Sequence, residues 1–188
     1  DAGSFRWHSL NFSDESNDSS SLNYCSFQNG SESGYEPYYG MINCNSSSPT
    51  ISNSTFNDHN KRGINLKNSN SLISGNFFRN NFSSGTSQSR IYIEGGSPKI
   101  INNNFVGTDS SDYSQINDLY MINVSSSSDI EIANNEFSDI YFEWWSQEYY
   151  YGGTFRGIYI QNAGENSIIV GNKFSNINVA YVYPISIF

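Results

Sequence analysis

The chain carries nine Lys and Arg and eighteen Asp and Glu in 188 residues, and few of them fall where they could act together. Lys67, Arg62 and Glu94 lie on neighbouring copies of one short phrase, and Arg156 follows two or more copies later. Such a set has the parts of a β-elimination site. A Lys or Arg of lowered pKa takes the proton, and a second cation or a Ca²⁺ ion clamps the carboxylate beside it. Asp109, Asp112 and Asp118 are weak candidates for that Ca²⁺: they share a loop region, but no EF-hand spacing and no repeated nonapeptide supports them. No other cofactor is expected. His8 and His59 stand in different copies, without the Cys/His spacing that a transition metal needs. The phrase NDHNKRG at 57–63 reads as a turn ahead of a strand.

A second candidate is aromatic. Residues 138–156, SDIYFEWWSQEYYYGGTFR, hold eight aromatics in nineteen positions. Connecting loops are ordinarily polar, so Trp144, Trp145, Tyr149 and Tyr150 either pack on the body of the protein or present their rings to a ligand. Flat rings beside acidic and amide groups suit sugars, whose C–H faces stack and whose hydroxyls need hydrogen bonds. A protein contact is the other use of such a surface. Tyr92, Tyr120 and Tyr159 fall on outward positions of the repeat and extend the surface.

What must position these groups is a repeat. Phe recurs at 27, 56, 78, 105, 137 and 174, with Leu22, Ile51, Ile73, Ile100, Ile132 and Ile169 each five residues earlier. Two residues before each Phe stand Cys25, Ser54, Asn76, Asn103, Asn135 and Asn172. A second short phrase precedes each copy: MINCN, GINLK, RIYIE, MINVS and GIYIQ, with HSLNFS as a first copy and PISIF as a last. Ile64 and Leu66, Ile91 and Ile93, Ile122 and Val124, Ile158 and Ile160 alternate with polar residues, which is strand period with one face buried.

The two halves of the unit vary differently. From the first Ile of the short phrase to the Phe is 14, 14, 14, 15 and 16 residues, whereas from that Phe to the next Ile is 15, 8, 13, 17 and 21. Insertions are therefore confined to one loop. With no helical period present, this pattern predicts a parallel β-solenoid of about six coils, all-β, a single domain over 1–188, with variable loops on one edge. The Asn two before each Phe is expected to take the left-handed backbone at a bend and to bond to its counterpart in the next coil.

GINLKNSNSLISGNFFRNN and SSPTISNSTFNDHN resemble repeats of right-handed parallel β-helix proteins with the pectate-lyase-like fold, and WHSLNF with SLNYCSFQNG resembles the opening coils of their large secreted or surface-attached members. The resemblance implies a right-handed helix and a cleft along the outer face of the first strand, walled by the loops that follow the third. The lyase and hydrolase signatures of that family are absent. Outward positions of the first strand form rows: Asn11, Asn43, Asn65, Tyr92, Asn123, Tyr159; Ser13, Asn45, Lys67, Glu94, Ser125, Gln161; and His8, Gly40, Arg62, Ser89, Tyr120, Arg156.

Composition narrows the partners. A net charge of −9 disfavours nucleic acid and anionic membrane surfaces, and no apolar run is long enough to insert in a bilayer. Cys25 and Cys44 could form one disulfide, and the register favours two buried free thiols instead. Seven Asn-x-Ser/Thr sequons, at Asn11, Asn17, Asn29, Asn45, Asn53, Asn81 and Asn123, permit glycosylation. The apolar final stretch VAYVYPISIF is expected to meet further coils of a longer solenoid or the end of another copy. The expected function is a non-catalytic extracellular or cell-surface module, a rigid stalk or glycan-adhesion surface. A lyase- or epimerase-like enzyme on acidic polysaccharide and a head-to-tail filament subunit are the alternatives. The partner is accordingly a polysaccharide or glycan, or copies of the chain end to end.

Overall fold

The computed structural model describes residues 7–30, 40–57, 62–79, 88–107, 118–141, 154–179 and 181–188. Among them there is no helix; nineteen short strands form three parallel sheets. Sheet A stacks β1 (Leu10–Phe12), β4 (Gly40–Asn45), β7 (Arg62–Lys67), β10 (Gln88–Glu94), β13 (Asp118–Ser126), β16 (Thr154–Ile160) and β19 (Tyr181–Ile187). Sheet B stacks β2 (Ser21–Asn23), β5 (Thr50–Ser52), β8 (Leu72–Ser74), β11 (Lys99–Ile101), β14 (Glu131–Ala133) and β17 (Ile168–Val170). Sheet C stacks β3 (Ser26–Gln28), β6 (Thr55–Asn57), β9 (Phe77–Arg79), β12 (Asn104–Val106), β15 (Glu136–Tyr141) and β18 (Lys173–Asn178). Each coil contributes one strand to each sheet in chain order, which is a parallel β-helix of about six coils, as the repeat predicts.

The columns of the repeat become columns of the core. Ile42, Ile64, Ile91, Ile122 and Ile158 are paired from coil to coil in sheet A and fully buried. Ile51, Ile73, Ile100 and Ile132 do the same in sheet B. In sheet C the rings of Phe27, Phe56, Phe78, Phe105, Phe137 and Phe174 lie nearly parallel, at centroid separations of 4.6 to 5.1 Å. That spacing is the strand separation of a sheet, ~4.8 Å, so each ring meets the ring above and below in van der Waals contact. Trp7 stands at one end of the column, 6.3 Å from Phe27, its indole N–H donating to Gln28 O at 2.6 Å.

Beside the Phe column runs a column of buried amides. Asn103 Oδ1 accepts both the backbone N–H (2.9 Å) and the side-chain amide (3.0 Å) of Asn76, one coil away. Asn103 in turn donates to Asn135 Oδ1 and to Ile73 O, and Asn135 repeats the pattern with Asn172 and Ile100 O. Ser54 joins through its N–H to Asn76 Oδ1, and Cys25 through its N–H to Ser54 Oγ. The left-handed bend sits one residue earlier than the sequence suggests. It falls at Tyr24, Asn53, Gly75, Asn102, Asn134 and Gly171, all at φ between 48° and 66°. The ladder residue keeps an ordinary backbone, which turns its side chain into the core. The residue before it makes the corner, where Asn and Gly adopt positive φ most readily.

A second ladder, not anticipated from the repeat, follows the outside of the sheet A to sheet B connection. Side-chain oxygens of Asp18, Ser48, Asn70, Ser97 and Asp129 each accept the backbone N–H of the equivalent residue one coil on, ending at Asn166. Of the two connections that carry ladders, sheet A to sheet B takes four to eight residues, at 13–20, 46–49, 68–71, 95–98, 127–130 and 161–167. Sheet B passes to sheet C through two residues in every coil. The passages from sheet C back to sheet A span 29–39, 58–61, 80–87, 107–117, 142–153 and 179–180, so the widest length variation, two to twelve residues, lies on the expected edge.

Cys25 and Cys44 are free thiols, and of the two only Cys44 is buried. Burial pushes the Cys44 thiol up from its ordinary 9.0 to about 12, partly offset by a hydrogen bond with Ser71. Since the folded pKa is raised, the thiol contributes full stability below its unfolded value and loses it as pH climbs from about 9 towards about 12. The alkaline loss of stability in urea is expected to be shallower in Cys44→Ala than in wild type. A thiol reagent at pH 8 should label Cys25 in the native protein and Cys44 only after unfolding. In the ladder, Asn103→Ala strands two donors of Asn76 and is expected to cost about 3 kcal/mol. Phe105→Ala should cost about 3–5 kcal/mol, and the outward Glu136→Ala about 0.5 kcal/mol or less, all read by urea denaturation.

Candidate functional site

The outer face of sheet A carries the candidate rows. Pairing runs Asn11, Asn43, Asn65, Tyr92, Asn123, Tyr159, Ser186 along one row and Gly40, Arg62, Ser89, Tyr120, Arg156, Tyr183 along the other. Between these rows the pairing passes from Arg62–Ser89 straight to Ile64–Ile91, leaving Gly63 and Arg90 outside the ladder. The same break recurs at Met41, Met121, Gly157 and Pro184. It explains how Pro184, which has no N–H to give, is tolerated within a strand. It also turns two consecutive residues inwards, so Met41, Arg90 and Met121 are fully buried where strict alternation would face them outwards.

Three expectations about the rows change. Glu94 pairs with Ser126, not Ser125, because a register shift intervenes after Ile93. Asn43 and Asn65, expected to line an open face, are 3% and 4% exposed. Asn43 bonds Asn11 Oδ1 and both polar backbone groups of Gly40, and Asn65 Oδ1 accepts from Arg62 Nη1 at 2.7 Å. The Asn43 and Asn65 amides of the first half are thus closed off by their own hydrogen bonds, while Lys67 and Glu94 beside them stay partly exposed. The accessible half belongs to β13, β16 and β19.

There the side chains converge. The guanidinium of Arg156 stands 5.7 Å from the ring centroid of Tyr120, 5.2 Å from Tyr159 and 5.0 Å from Tyr183. Tyr120 and Tyr159 meet edge to face at 5.2 Å, and Phe188 stands 5.5 Å from Tyr159. Two strands below, Arg62 lies 3.6 Å over the Tyr92 ring. Both arrangements are cation–π contacts, which hold guanidinium and rings in fixed relation. Tyr183 is a member that the sequence rows omitted. Extending the Arg62–Ser89–Tyr120–Arg156 row by one more copy, in which PIS aligns with GIY, would have reached it.

The four candidates for elimination chemistry do not meet in one place. Lys67 Nζ pairs with Glu94 Oε1 at 3.3 Å. Arg62 stands at the other end of the same strand, five residues and so about 16 Å along it. Arg156 shares the Arg62 row three strands further up. Trp144, Trp145, Tyr149, Tyr150, Asp109 and Asp112 lie outside the described residues, and Asp118 opens β13. No cluster of metal-binding side chains occurs among the described residues. Among the described residues there is no helix long and apolar enough to cross a membrane.

Comparisons with protein-family models, with curated proteins and with solved structures find no match for this chain. The parallel β-helix stands on the structure itself, and kinship with pectate-lyase-like proteins is a matter for proposal. The ion pair of Lys67 and Glu94 is 37% and 40% exposed, so solvent screens it. Lys67→Ala and Glu94→Ala are each expected to change unfolding free energy by less than about 1 kcal/mol, as measured in urea.

Proposed function

We propose that this chain is a non-catalytic β-helix module of the extracellular or cell-surface type, related to the pectate-lyase-like proteins, whose sheet A face and adjoining loop edge hold a glycan. The observation that carries the reading is the cluster of Tyr120, Tyr159 and Tyr183 around Arg156 on three neighbouring strands. Rings fixed by packing offer contact area at little conformational cost, as sugar recognition requires. The sequence that precedes β16, residues 142–153, contains Trp144, Trp145, Tyr149 and Tyr150. The ladders and the Phe column supply the rigid body such a surface needs. The dispersion of Lys67, Glu94, Arg62 and Arg156 over the face favours binding over elimination chemistry.

Oligosaccharide binding followed by calorimetry tests this. Trp144→Ala, Trp145→Ala and Tyr159→Ala are expected to weaken binding about tenfold or more while the circular dichroism of the fold is kept. Polysaccharides incubated with the chain should keep their molar mass in light scattering, and a steady fall on any one of them would make the chain an enzyme.

A further inference from the structure

The glycan reading leaves open which sugars the face accepts, and the cations on it bear on that. Each is already engaged within the protein. Lys67 is paired with Glu94 at 3.3 Å. Arg62 donates to Asn65 Oδ1 at 2.7 Å and stacks on Tyr92. Arg156 sits within 5.0 to 5.7 Å of three tyrosine rings drawn from β13, β16 and β19. A carboxylate or sulfate arriving at this face would have to displace these contacts, and it would approach a chain of net charge −9. Among the described side chains, what the half formed by β13, β16 and β19 presents besides Arg156 is neutral: the half-buried amide of Asn123, and the tyrosines, of which Tyr183 is 45% exposed.

We propose that the face selects a neutral glycan over a uronate or sulfated one, and that Arg156 is a positioning residue. Its guanidinium orients the rings of three successive coils and does not serve as an anion clamp. This inference rests on the glycan reading above. In physical terms, Arg156 replaces the aliphatic filler that three converging tyrosines would otherwise need, and its charge is spent on ring faces.

The test is a paired calorimetric titration of the whole chain with hexasaccharides of neutral β-glucan and mannan and of galacturonate and alginate, at low and at high salt. The expected result is binding of a neutral hexamer with Kd below about 1 mM, unaffected by salt, with no binding of either uronate. Arg156→Gln should weaken neutral binding about tenfold, and Arg156→Lys, which keeps the cation, should recover part of it. Asn123→Ala, which leaves the tyrosine cluster untouched, should also weaken neutral binding and guards against an Arg156 variant that fails to fold. Uronate binding that falls with salt and is lost in Arg156→Gln would overturn the inference while leaving the glycan reading standing. Neutral binding unchanged in a folded Arg156→Gln would overturn the positioning role. Failure of wild type to bind any of the four would overturn the glycan reading itself, and the selectivity with it.

Discussion

A buried amide in this protein can be satisfied only by the coil next to it. Asn76, Asn103 and Asn135 lie inside the helix, where an unpaired amide would cost several kcal/mol, and each finds an acceptor in its counterpart one coil away, the last of them in Asn172. A slip of one residue would break every such bond at once. The ladder therefore fixes the register of sheets B and C, and the Phe column beside it fills the remaining space at the same spacing. The hydrophobic columns also oppose a one-residue slip, which would turn them outwards, and the amide column adds the cost of unmet hydrogen bonds.

The surface inherits that precision. Tyr120, Arg156, Tyr159 and Tyr183 come from three different coils, yet their groups meet within 5.0 to 5.7 Å. Nothing local in the chain brings 120 to 156 or 156 to 183. They are neighbours because the core sets each coil directly on the last, and because the break before each inward Ile recurs at the same point in every strand. The side chains of the site thus make few demands of their own on the fold.

This division decides what could be read in advance. The Phe period, the inward Ile columns, the Asn ladder and the edge that takes insertions were all legible, because each is written once per coil and the repetition separates it from chance. The left-handed corner was misplaced by one residue. It is occupied by Tyr24, Asn53, Gly75, Asn102, Asn134 and Gly171, and so varied a column carries less signal than the run of Asn76, Asn103, Asn135 and Asn172 beside it. The burial of Arg90 has no repeated signal behind it, because the other coils hold Met41, Gly63, Met121, Gly157 and Pro184 at that position. The enclosure of Asn43 and Asn65 could not be read at all, since it depends on what surrounds each amide rather than on its place in the repeat.

The two-residue passage from sheet B to sheet C is the same in every coil, and the widest changes of length are shunted to the opposite edge. Such a design separates inheritance of shape from inheritance of surface. A middle coil can be duplicated or lost without disturbing its neighbours, because those of Asn76, Asn103 and Asn135 each offer the same amide and the same ring to whatever lies next to them. A connection on the variable edge can lengthen from the four residues at 58–61 to the twelve at 142–153 without changing the pitch. The molecule is in effect a rack of interchangeable shelves, and a lineage built on it can rewrite one shelf at a time while the frame stays unaltered.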